Sequence, residues 1–118
     1  MKDKLERDVS IYKGTDDGFS IEICKNCEPY EVQDEDVLIL EVLDYRNNNQ
    51  IVISKSVTGS NYISFTPSDT ENLDIGYYRY NVKLKESSTG LILEIISPST
   101  FWIKAGEWLW MIEQFGVI

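Results

Sequence analysis

Histidine is absent from the 118 residues. The commonest general base and the commonest zinc ligand are therefore missing together. Positive charge is scarce: 11 Lys and Arg stand against 20 Asp and Glu, for a net charge of −9 and a pI near 4.4. A phosphate backbone would be repelled, which argues against nucleic acid as a partner. No apolar run reaches the length of a membrane span, so no membrane partner is expected. The three prolines and seven glycines lie among turns and do not collect into a linker. Met1-Lys2-Asp3-Lys4-Leu5-Glu6-Arg7 is charged throughout and lacks the apolar centre of a signal peptide. Synthesis in a cytoplasm is expected, where the two cysteines would stay reduced.

What is present is an ordinary globular composition, 42% apolar and 26% charged, at a length that fits one domain. Residues 77–85 carry the clearest pattern. Tyr78, Tyr80, Val82 and Leu84 alternate with Tyr77, Arg79, Asn81, Lys83 and Lys85. A period of two, rich in aromatic and branched side chains, marks a half-buried strand with the even positions inward. Just upstream, Asp74-x-Gly76-x-Tyr78 has the spacing of a tyrosine corner, in which a tyrosine hydroxyl bonds to backbone before its strand. Asp74, Gly76, Tyr78 and Tyr80 are thus expected to be structural residues.

Other strands are expected at Val9–Lys13, Phe19–Ile23, Tyr30–Val32, Val37–Asp44, Ile51–Val57 and Tyr62–Phe65. A last strand begins at Leu91, is split by Pro98 and resumes over Phe101–Lys104. In Phe19–Ile23 the odd positions should face inward; in Val37–Asp44, Leu38, Leu40 and Val42 should. Thr66 reads as a helix cap, with Pro67 at the first helical position and Asp69 three residues after the cap. Gly76 limits that helix to a turn or two. Gln33-Asp34-Glu35-Asp36 reads as a solvated loop. The sum is an all-β chain: an immunoglobulin-like antiparallel β-sandwich of about seven to eight strands, with a short helix at the crossing between its fifth and sixth strands.

Three constellations could carry chemistry. Cys24-Lys25-Asn26-Cys27 has redox-pair spacing, but it falls between strands with no helix N-terminus to lower a thiol pKa. As a zinc site it lacks two ligands. Asp16-Asp17 and Asp34-Glu35-Asp36 lack the ordered spacing of a calcium loop. Trp102, Trp108 and Trp110 could stack sugars, although large aromatics more often pack in cores and interfaces. No catalytic residue, cofactor or metal is expected, and the chain does not read as an enzyme.

Residues 106–118 are too apolar for a free end. On a helix Trp108, Ile112 and Phe115 would share a face; on a strand Trp108, Trp110 and Ile112 would. Trp108, Trp110, Met111, Ile112 and Phe115 resemble an interface core, and folding back on the chain's own domain is the other reading.

Several pieces together resemble one family. Ile11-Tyr12-Lys13-Gly14, Asp17 to Ile23 and Glu28-Pro29-Tyr30-Glu31-Val32 come first. Phe65 to Thr70, Leu73, Gly76 and Tyr78-x-Tyr80 follow, and Thr100-Phe101-Trp102-Ile103 closes the set. In order and spacing they are similar to the N-terminal immunoglobulin-like domain of phage baseplate upper proteins, found in prophages of Gram-positive bacteria. The resemblance implies a non-enzymatic virion part that works through phage tail or baseplate proteins; for the apolar C-terminal stretch, homo-oligomerisation is the simplest use. The resemblance spans a domain over residues 9–104; by their own composition, residues 1–8 read as a flexible tail and 105–118 as an apolar docking or oligomerisation segment. A free-standing adaptor is expected, and a surface module binding host carbohydrate is the alternative.

Overall fold

The computed structural model describes residues 8–105. Among these, nine strands form: β1 (Val9–Tyr12), β2 (Asp17–Ser20), β3 (Ile23–Lys25), β4 (Glu28–Tyr30), β5 (Val37–Asp44), β6 (Gln50–Thr58), β7 (Tyr62–Phe65), β8 (Gly76–Lys85) and β9 (Ile92–Lys104). A one-turn helix, α1 (Pro67–Thr70), follows β7. The chain is all-β, as its alternating pattern requires.

Five strands make one sheet in the order β1-β9-β8-β5-β6. β8 lies at its centre, antiparallel to β5 and β9. Its even residues are buried, Tyr80 and Val82 completely, and pack with Leu38, Leu40 and Val42 of β5. β2 and β7 pair antiparallel as a separate two-stranded sheet, and β3 and β4 form a third. Phe19 and Phe65 of the β2–β7 pair reach the inner face of the large sheet. Their rings meet Tyr80 at 6.3 Å and Phe101 at 5.6 Å, and Tyr80 meets Phe101 at 5.8 Å. This four-ring cluster centres the core. Each such ring contributes about 1.5–3 kcal/mol by leaving water.

The corner before β8 is formed. Tyr78 donates its hydroxyl to the Asp74 carbonyl at 2.8 Å, and Gly76 turns the chain with φ 149°, a conformation L side chains rarely adopt. At α1, the Asp69 carboxylate accepts from the Thr66 backbone N–H at 2.8 Å, and Pro67 begins the turn.

Five expectations need correction, the first being Tyr30–Val32: the strand there is Glu28–Tyr30, and the chain leaves it at Glu31. The large sheet is mixed, because β1 runs parallel to β9 (Val9 opposite Phe101, Ile11 opposite Ile103). Inward Val9 and Ile11 fix which face is buried but carry no information about strand direction. Phe19–Ile23 is not one strand. β2 leaves β7 after Ser20, Ile21 exchanges bonds with Asn61, and Ile23 pairs with Tyr30 instead. β9 is not split at Pro98. It runs on while its register against β8 shifts twice between Tyr80 and Lys83, and such bulges leave room for a residue without an N–H. Asp36, finally, is only 1% exposed and does not belong to a solvated loop.

Candidate functional site

The sequence offers three places for chemistry: the acidic loops, the cysteines and the tryptophans, of which Trp108 and Trp110 lie outside the described residues. The acidic loops separate. Asp17 accepts from backbone N–H groups of its own turn, at Tyr12 and Gly18. Asp34 and Glu35 are exposed, whereas Asp36 is a buried structural acceptor. It receives the Tyr30 hydroxyl at 2.6 Å, the Gln33 N–H at 2.9 Å, and the Ser87 N–H and hydroxyl at 2.8 and 2.9 Å. Burial alone would raise its pKa, but these donors outweigh it and hold the carboxyl far below the usual range. Hydrogen bonding to that carboxylate, aided by burial, pushes Tyr30 up to about 12. A second buried carboxylate, Glu86, receives Lys25 Nζ and the Thr89 hydroxyl. Those bonds, Lys25 first, lower its pKa against burial.

The two carboxylates fasten one object. Lys25 and Tyr30 both belong to the β3–β4 hairpin, and Ser87 and Thr89 to the connection between β8 and β9. The hairpin is thereby pinned at both strands to the body of the domain. Gly59 completes this corner: its N–H donates to the Asp36 carbonyl, φ is 71°, and a Cβ there would lie 2.7 Å from the Asp34 carbonyl oxygen. Sequence reasoning missed the arrangement because Asp36 and Glu86 sit in polar stretches, and their donors come from distant segments.

Cys24 and Cys27 ride on this hairpin, both exposed and free. Lys25 and Glu28 flank the turn, and its central residues Asn26 and Cys27 have φ of 53° and 66°. Positive φ at both positions is the signature of a two-residue type I′ turn. A strand follows Cys27, not a helix. Among the described residues no group of three His, Cys, Asp or Glu side chains could hold a metal ion, and no helix is long and apolar enough to cross a membrane.

Large exposed apolar groups gather instead on the outer face of the five-stranded sheet. Tyr77 and Trp102 are opposed across β8 and β9, 52% and 39% exposed, with rings stacked at 5.3 Å and 26°. On β1 and β9, Lys104 places its ammonium over both Trp102, at 5.3 Å, and Tyr12, at 4.5 Å. The result is a ladder of ring, ring, cation and ring across three strands. The next row carries Thr100, Arg79, Leu43 and Ile51 opposite one another. Arg79 donates to the Pro98 carbonyl at 2.9 Å, and Ile51 is half exposed. Tyr, Trp and Arg beside aliphatic groups is the composition of an interaction hot spot.

Of the residues singled out from sequence, Asp74, Gly76, Tyr78 and Tyr80 come together at the corner and core, away from this face. Trp108, Trp110, Met111, Ile112 and Phe115 lie outside the described residues. The ladder itself was legible only in part. Alternation sends Tyr77 outward, but cross-strand register alone puts Trp102 beside it.

No protein-family profile, curated protein or solved structure matches the chain.

Proposed function

We propose that this chain is a non-enzymatic, immunoglobulin-like module of a phage tail or baseplate, acting through protein–protein contact. The fold part of the reading draws support from the tyrosine corner at Tyr78 and from the sheet order, with a first strand parallel to the last. Rings of β2 and β7 packed on the inner face suit a two-layer sandwich. The phage assignment rests on the resemblance of residues 9–104 and places the chain in the virion, made in the bacterial cytoplasm. Trp108, Trp110, Met111, Ile112 and Phe115 serve as a second contact element in this reading, with homo-oligomerisation as their simplest use.

One observation carries the choice of protein contact over sugar binding. A sugar-stacking platform needs a free aromatic face. Trp102 already has the Tyr77 ring stacked on it at 5.3 Å and the Lys104 ammonium 5.3 Å from its ring centre, so its ring is engaged within the sheet and is not an open platform. Rings already paired in this way, beside Arg79, Leu43 and Ile51, suit the packed centre of a protein interface.

The test is made on particles released from an induced lysogen that encodes the chain. Purified tails should contain it by mass spectrometry, and antibody against it should label one end of the tail in electron micrographs. Unlabelled tails, with the chain left among unassembled proteins, would overturn the assignment. A glycan array should stay silent; reproducible binding there would favour the carbohydrate-binding alternative.

A further inference from the structure

Charge is unevenly spread over this acidic chain. The outer face of the five-stranded sheet carries Arg79, Lys83, Lys85 and Lys104 against Glu41 and Glu94, and the Asp8 carboxylate accepts from the Thr100 N–H at its β1 edge. A face with surplus positive charge therefore sits on a molecule of net charge −9. The same face holds the exposed Tyr77, Trp102 and Ile51. A complementary partner would combine carboxylates with large apolar side chains and carry no cations.

Such a stretch follows the last strand. Residues 106–118 include Glu107 and Glu113, no Lys or Arg, and Trp108, Leu109, Trp110, Met111, Ile112 and Phe115. We propose that the outer face docks residues 106–118 of a second copy of this chain. The carboxylates would meet Arg79 and its neighbouring lysines while the apolar groups cover Tyr77, Leu43 and Ile51. This rests on the protein-contact reading above and names the partner for that surface. We assign the segment to a second copy because Lys104, at the end of the described chain, lies over Trp102 and Tyr12 and leaves the opposite part of the face as the larger opening. That open part runs from Tyr77 to Ile51, both half exposed. Segment and face are different surfaces, so the contact is head-to-tail and builds a ring or an open chain of copies.

The test is sedimentation velocity on the full chain over a concentration series at low and high salt. Association should grow with concentration and weaken with salt, since exposed charges are screened. A face variant, Tyr77→Ser with Arg79→Glu, and a segment variant, Glu107→Lys with Glu113→Lys, should each weaken it by about tenfold or more. Circular dichroism melts establish that each variant is folded; should the double face variant not fold, Arg79→Glu alone takes its place.

Mixing gives the decisive readout. Each variant keeps one sound half of the contact, so an equimolar mixture should form a one-to-one complex that neither forms alone. A full chain monomeric at every concentration would overturn the inference. So would association that ignores the face variant, or a mixture that stays monomeric. In all three cases the protein-contact reading is judged separately, by whether the chain is found in purified tails.

Discussion

The Tyr30 hydroxyl donates a 2.6 Å hydrogen bond to the Asp36 carboxylate, joining the β3–β4 hairpin to the turn before β5. Asp36 has three other donors, so losing Tyr30 alone leaves the carboxylate partly satisfied. Tyr30→Phe should cost about 1–2 kcal/mol, and Asp36→Asn, which removes the charge from all four bonds, about 3 kcal/mol. Urea melts of the two variants check the order. A neutral Asp36→Asn would mean that the buried carboxylate does not fasten the hairpin.

The acid limb of stability follows from the same groups. Asp36 and Glu86 are both held below the ordinary carboxylate range. Their contribution is complete above the unfolded-state values near about 4 and is lost as pH falls through the folded values. Tyr30 has the opposite sign. Raised from 10.0 to about 12, it contributes fully below its unfolded value, and the contribution is lost as pH rises through the folded one. Melting temperature against pH should therefore drop at both extremes. Asp36→Asn should flatten the acid limb, and Tyr30→Phe the alkaline one.

Tyr78 and Tyr77 are adjacent and chemically identical, yet they should respond differently to loss of the hydroxyl. Tyr78→Phe leaves the Asp74 carbonyl without its 2.8 Å donor and should cost about 1–3 kcal/mol. Tyr77 is half exposed on the outer face, so Tyr77→Phe should be nearly neutral in stability. Equal costs in denaturant melts would contradict the register of β8.

The thiols should prove dispensable. Cys24 and Cys27 are exposed and unbonded, so replacing both with serine should leave the melt unchanged and bind no less of any partner. Cys27→Gly should do better than neutral. Its φ of 66° is strained for a side chain, and Asn-Gly is the preferred pair for this turn. A gain of about 1 kcal/mol is expected in thermal melts. A loss would indicate that the Cys27 side chain itself stabilises the hairpin.

Local pattern alone determined much of this protein. Alternation from Tyr77 to Lys85 and from Val37 to Asp44 decided which side chains are buried, because a strand turns successive residues to opposite faces. Thr66-Pro67-Ser68-Asp69 encoded a one-turn helix, and Asp74-x-Gly76-x-Tyr78 a corner, because each is closed by bonds within a few residues. The tertiary structure decided everything that depends on pairing between distant segments. Nothing local in Val9–Tyr12 states that it runs parallel to β9, and nothing in Gln33–Asp36 distinguishes the buried Asp36 from its solvated neighbours. Ser87 donates to Asp36 across 51 positions, and Trp102 meets Tyr77 only through the register of β9 on β8. A carboxylate is buried or solvated, and an aromatic face free or covered, according to what the rest of the chain brings to it.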